Sequence, residues 1–199
     1  LTAHGAPEQA MLVNGGIHAR EWQSPEVVTG IIEHIALTEG DVLVDYLREN
    51  ANLLVIPVQN VDGFLQTQRY PSLNWLGADP RSPETWPRDG RMRRKNMRDA
   101  DEDLNSEGDH LHGVDLNRNN APYWATSGSS SPDRRELIHH GQEPASEPET
   151  RALDAAAQLG PGDRLAMFTD VHSYSQVHFW NRNSNARLTA LTERLLRTF

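Results

Sequence analysis

Two short apolar runs with a helix-forming stretch between them constrain this chain more than any other feature. Ala10-Met11-Leu12-Val13-Asn14 has the length and character of a short buried strand, ended by Gly15-Gly16. Leu53-Leu54-Val55-Ile56-Pro57-Val58 is a second run, continuous enough for a strand covered on both faces. Between them Ser24 suits a helix N-cap, Pro25 the first helical position, and Glu26 the positive end of the dipole. Val27, Val28, Ile31, Ile32 and Ile35 then recur at helical spacing, and Asp41 opens a second helix running to Glu49.

The loop after the first strand carries His18-Ala19-Arg20-Glu21, at the carboxyl edge where α/β sheets usually bind ligands. A second imidazole, His172, follows a strand read over Arg164 to Val171. Two imidazoles and one carboxylate are the protein ligands of an open zinc site, with a fourth position left for water. The chain has no cysteine, so disulfides and thiolate sites are excluded and any metal must use His, Asp or Glu. With 19 basic against 28 acidic residues the net charge is −9, which argues against nucleic acid as a partner. No apolar run approaches the length of a membrane span, and the amino terminus has no signal-peptide pattern.

From Gln59 to Glu143 the chain reads as polar and irregular, rich in Pro, Gly, Asn and Arg. Ser146 suits a cap for a further helix, with Pro148 near its start and Leu153 on its buried side. Residues 186–199 form a helical pattern with Leu188, Leu191, Leu195 and Phe199 on one stripe. That stripe runs to the last residue, so packing partners further along a longer chain are expected. No internal repeat or domain boundary is visible, and the 199 residues are read as one domain, part of a larger catalytic unit.

Six blocks, in order, resemble the zinc metallocarboxypeptidases of the carboxypeptidase A/B type. They are Asn14 to Trp22, Ile56 to Phe64, Arg91 to Asn96, Gly113 to Asn119, Ser146 to Thr150, and His172 to Gln176. The resemblance implies an α/β fold with a mixed, largely parallel central sheet and helices on both faces. It implies one zinc ion held by His18, Glu21 and His172, and hydrolysis of a C-terminal peptide bond to release one amino acid. Asn117 and Arg118 fit recognition of the substrate's terminal carboxylate, since an arginine fork offers two charge-assisted hydrogen bonds. Arg94 resembles the arginine that stabilises the tetrahedral oxyanion, although Arg91, Arg93, Lys95 and Arg98 make a solvated basic face an alternative. Asp115 is expected behind a ligand histidine, or as a turn-forming Asp. Arg20 and Tyr174 resemble residues that hold the substrate backbone upstream of the cut, and Tyr174 has the alternative of a core aromatic.

His4, His34, His110, His112, His139, His140 and His178 have no matching spacing and read as surface or loop residues, with His139-His140 an adventitious metal pair at most. The expected partner is a peptide or protein C-terminus as substrate, with no membrane and no nucleic acid, and the protein itself is expected to be a monomer. An extracellular or periplasmic location follows from the resemblance alone. The chain departs from the family at its general base, a downstream glutamate, because Glu193 is the one acidic residue after His172. Arg93 stands where an aromatic is common and Asn120 where a Trp is. Two other readings remain open: a non-catalytic module that binds zinc and a peptide C-terminus, and an amidohydrolase acting on N-acyl amino acids.

Overall fold

The computed structural model describes residues 9–69, 90–98, 112–121, 123–126, 128–160 and 165–174, and residues 186, 189, 190, 193, 194 and 197. Strand β1 (Gln9–Gly15) lies between β2 (Ala51–Ile56) and β3 (Leu165–Val171), and both pairings are parallel. Side chains alternate along a strand, and β1 is buried on both faces. Ala10, Leu12 and Asn14 are buried on one face and Val13 on the other, the pattern of a central parallel strand. The expected α/β architecture, a largely parallel sheet flanked by helices, is what the structure shows.

Helix α1 (Gln23–Leu37) covers the Met11 and Val13 face. Val28 packs with Val13 and Leu53, and Met11, Ile31, Ile35, Val55 and Val171 pack against this cluster. Fully burying a valine such as Val28 contributes about 1.5–3 kcal/mol. Val27, expected on this stripe, is 51% exposed, because the buried row steps from 28 to 31 to 35. Helix α2 (Val42–Asn50) is capped as expected, with the Asp41 carboxylate accepting from the amides of Leu43 and Val44.

Several expectations shift. Strand β2 starts two residues earlier than the apolar run and stops before Pro57, which has no N–H for the ladder. Ser24 does not cap α1: the preceding turn runs straight into the helix from Trp22, and the hydroxyl is engaged elsewhere. Ser146 likewise sits one residue before the cap of α4 (Pro148–Ala157), where Glu147 holds that position, while Leu153 is buried as expected. The stretch read as irregular after Gln59 contains helix α3 (Val61–Arg69), started by Asn60, whose side chain accepts from the Gly63 amide. Arg164 and the stripe of Leu188, Leu191, Leu195 and Phe199 lie outside the described residues, although Ala186, Thr189, Ala190, Glu193 and Arg194 are helical. No helix among the described residues is long and apolar enough to cross a membrane.

The strand order has one consequence for ligands. The chain leaves β1 toward β2 on one side and later returns to β3 on the other. β1 is therefore where the winding direction reverses, and the crevice beyond its carboxyl end is the favoured binding position in open α/β sheets. Gly15 pairs with Val171 there, so the loops beginning at Gly16 and at His172 leave the sheet side by side.

Candidate metal centre

Backbone hydrogen bonds shape the loop after β1. Gln59 and Asn60 donate their amides to the carbonyls of Gly15 and Gly16, and the Ala19 amide donates to the Arg94 carbonyl at 3.2 Å. Ser24 Oγ accepts from the Gly16 amide at 3.0 Å and donates to the Glu21 carbonyl at 2.9 Å, so it closes the loop on itself. From outside, the Arg91 guanidinium stacks 3.9 Å above the Trp22 ring and donates to the Arg20 carbonyl. Trp22 in turn donates from Nε1 to Thr67 Oγ1 on α3.

This frame brings His18, Glu21 and His172 together, with one ligand atom of each within 4.8 Å of the others. His18 Nδ1 is 2.8 Å from Glu21 Oε1, and His172 Nδ1 is 3.0 Å from Glu21 Oε2. The Ser173 amide donates to the same Oε2 at 3.1 Å. His18 is buried, Glu21 nearly so, and the His172 side chain is 35% exposed, so the site opens on the His172 side. Ligand atoms around a tetrahedral zinc stand about 3.3 Å apart for bonds near 2.05 Å. The two His–Glu separations are a few tenths of an ångström shorter than that, and the donor set of two imidazoles and a carboxylate fits zinc.

Each imidazole turns its far nitrogen to a carboxylate. His18 Nε2 lies 3.2 Å from Asp115 Oδ1, and His172 Nε2 lies 3.1 Å from Asp170 Oδ2. A carboxylate only accepts, so a proton on each Nε2 satisfies Asp115 and Asp170, while each Nδ1 faces Glu21, where a bound ion would take the place of a proton. Burial works to raise the Glu21 carboxyl, but hydrogen bonds to His172 and His18 outweigh it and hold it far below the usual carboxylate range. Asp115 follows the same logic: burial raises it, and His18 and Arg94 bring it to about 2. His172 is raised to about 9, first by its hydrogen bond to Asp170 and then by Glu21.

The basic cluster at 91–98 is sorted by the fold. Arg93 is buried and donates to the carbonyls of Asn96 and His112, Lys95 donates to those of Arg134 and Glu136, and Arg98 pairs with Glu147. Arg94 points at the centre. Its Nε and Nη2 donate to Asp115 Oδ2 at 3.1 and 2.9 Å, and Nη1 lies 3.3 Å from His18 Nδ1.

Asp115 also caps the short turn Leu116–Arg118, accepting from the Asn117 amide. The Asn117 side chain has no hydrogen-bond partner among the described residues. Arg118 spends Nε and Nη1 on the carbonyls of Ser129 and Asn117, which leaves Nη2 and one Nη1 proton. Arg20 is half-buried, and burial, followed by the charge of Arg94, lowers its pKa against Glu21, Tyr174 and Asp115. Tyr174 is 84% exposed and so is not a core aromatic among the described residues. None of Asn117, Arg118 and Tyr174 hydrogen-bonds to the triad among the described residues.

Other histidines differ from expectation. His139 and His140 are loop residues but buried, each with Nδ1 against a carbonyl, and His140 packs edge-on to Trp124. Burial lowers the His139 pKa. His4, His110 and His178 lie outside the described residues.

Asp170 and Asn14, given no role at the site from the sequence, also join it. Asn14 donates from Nδ2 both to Asp170 Oδ1 and to Gln59 Oε1. The signal was present: an acid two residues before a ligand on one strand shares its face.

Comparison with known proteins agrees with this geometry. The sequence profile of the zinc carboxypeptidase family matches residues 2–197. Zinc carboxypeptidase A 1 of Anopheles gambiae is 32% identical over 175 residues, 88% of this chain and 34% of that protein. Human carboxypeptidase B2 is 32% identical over 174 residues, 86% of this chain and 34% of that protein. Among solved structures, carboxypeptidase A from Helicoverpa armigera superposes with a TM-score of 0.72 at 23% identity, over 95% of this chain and 40% of that one. Bovine thrombin-activatable fibrinolysis inhibitor, solved with tick carboxypeptidase inhibitor, gives 0.69 at 26% identity, over 94% of this chain and 55% of that one. The chain thus spans between a third and a little over half the length of these relatives.

Proposed function

The chain belongs to the zinc carboxypeptidase family, and from that premise we propose that it hydrolyses the last peptide bond of a peptide or protein, releasing one C-terminal amino acid. The observation that carries this reading is the convergence of His18, Glu21 and His172 beside the Arg94 guanidinium. These three residues would hold one zinc ion, which when bound polarises a scissile carbonyl and activates water for attack near neutral pH.

The surrounding residues supply the rest. Asp115 fixes Nε and Nη2 of Arg94, so Nη1 is presented toward the centre, where an oxygen gains negative charge as the carbonyl becomes tetrahedral. A fixed donor of that kind is worth about 2.7–4 kcal/mol of barrier. Asn117 and the uncommitted end of Arg118 grip the substrate's terminal carboxylate, which makes a free carboxyl terminus the recognised feature. Arg20 and Tyr174 hold the peptide backbone upstream. Glu193 is exposed in a helical segment and is given no proton-transfer role.

The test is release of free amino acid by the zinc-loaded protein from a peptide with a free carboxyl terminus and from its C-terminally amidated twin. Cleavage of the first alone is expected, and equal cleavage of both refutes the exopeptidase reading. Zinc binding with turnover of neither favours a non-catalytic module. Turnover of small N-acyl amino acids alone favours the amidohydrolase.

A further inference from the structure

His172 is the most exposed ligand of the triad and lies 151 residues from Glu21, so something must decide which of its nitrogens faces the ion. We infer that Asp170, locked in place by Asn14 and Gln59, is the positioning residue that fixes the His172 ring with Nδ1 toward the metal. The inference rests on His18, Glu21 and His172 holding the ion.

The geometry is specific. Asp170 and His172 are two residues apart at the end of β3, and the carboxylate reaches the imidazole through Oδ2 at 3.1 Å. Its other oxygen, Oδ1, accepts from Asn14 Nδ2 at 2.9 Å. Asn14 and Asp170 are direct partners in the parallel β1–β3 ladder, so this contact crosses the sheet at the last pair but one before the site. Asn14 gives its second Nδ2 proton to Gln59 Oε1 at 2.7 Å, and Gln59 is anchored by its own amide on the Gly15 carbonyl.

The Asn14 amide is fully buried, and its Oδ1 has no partner among the described residues. Reversing that amide would point oxygen at an ionised carboxylate that can only accept. Asp170 therefore dictates the Asn14 orientation, and Asn14 leaves Asp170 no freedom to turn from His172. Both zinc-ligand imidazoles are then backed alike, His18 by Asp115 and His172 by Asp170, with Glu21 between them.

The experiment measures zinc affinity by competition with a chromophoric chelator, and the visible spectrum of the cobalt(II)-substituted protein, for the parent, Asp170→Ala, Asp170→Asn and Thr169→Ala. Loss of a carboxylate behind a ligand histidine typically weakens metal binding by about 10–100-fold. That loss, with an altered cobalt spectrum, is expected for Asp170→Ala, and a smaller loss of the same kind for Asp170→Asn. Thr169→Ala, on the same strand but facing the other way, should change neither. Should the alanine variant not fold, as judged by melting in chelator, the near-isosteric asparagine variant decides. Affinity within twofold of the parent and an unchanged cobalt spectrum in a folded Asp170 variant would overturn the inference. An equal loss in Thr169→Ala would also overturn it. If the parent itself binds no zinc, the metal-centre reading falls, and this inference with it.

Discussion

Replacing Asp115 by asparagine should do far more damage than a change of one atom implies. All four of its polar contacts are donors: His18 Nε2 and the Asn117 amide on Oδ1, Arg94 Nε and Nη2 on Oδ2. An asparagine must turn its NH2 to one of those pairs. Facing Arg94, it sets donor against donor beside a guanidinium whose side chain is 13% exposed. Facing His18, it forces the ring to accept on Nε2 and to carry its proton on Nδ1, where the metal should bind. Removing one partner of a buried ion pair costs about 3–5 kcal/mol. Losing the carboxylate behind the ligand costs about 10–100-fold in metal affinity, or about 1.4–2.7 kcal/mol. Urea unfolding of the zinc-free Asp115→Asn protein, with zinc titration of the folded form, measures the two effects separately. Unfolding free energy within 1 kcal/mol of the parent together with unchanged zinc affinity would refute the reasoning.

Three further outcomes follow from the same structure. Gly113 has φ +95° and an added Cβ would overlap the Asn96 carbonyl oxygen, so Gly113→Ala should lose at least about 1–3 kcal/mol in urea unfolding; a stability equal to the parent's would contradict this. Glu149 has its pKa raised by burial, and also by Glu147 and Asp62, despite hydrogen bonds that include one from Asn96. A raised carboxyl contributes stability that is fully present below its unfolded value and lost as pH rises through the folded one. Glu149→Gln should therefore melt higher than the parent at pH 7, the gap closing as pH falls through the carboxylate range; a gap that widens in acid would be the wrong sign. Free zinc at 100 times its dissociation constant should add about 2.7 kcal/mol of stability, seen as a rise in Tm that a chelator reverses. Identical melting with and without zinc would count against a folded metal centre.

Much of the site was legible because its ligands sit at strand ends, where sequence signals are strongest. Gly15-Gly16 marked the end of β1, and the His18–Glu21 spacing then fell at the carboxyl edge of the sheet. Asp41 caps α2, and among the described residues its carboxylate is bonded only by the Leu43 and Val44 amides. Ser24 has the same capping chemistry, but the loop before α1 recruits its hydroxyl for the Gly16 amide and the Glu21 carbonyl. Helix α3 was hidden in a stretch that reads as polar and irregular, and it contains Gly63. In the structure a Cβ there would lie 2.5 Å from Asn60 Oδ1 and 3.0 Å from Ala19 Cβ, so glycine permits the close approach of α3 to the metal loop. The basic run at 91–98 could not be sorted by charge alone. Which cation is buried on carbonyls and which faces His18 depends on chain segments far along the sequence.

The pairing of β1 with β3 also bears on the order in which the molecule is made. Residues about Asn14 and Asp170 must meet across 156 positions of chain, whereas β1 and β2 need close a far shorter loop. Non-local pairings of this kind tend to form late, since the entropy of closure is spent before any contact rewards it. Until β3 docks, the site has His18 and Glu21 but lacks His172, the third of its candidate ligands. Capture of an ion by all three ligands would therefore report that β3 has docked on β1, and a chain stalled before that step would be one that binds zinc poorly.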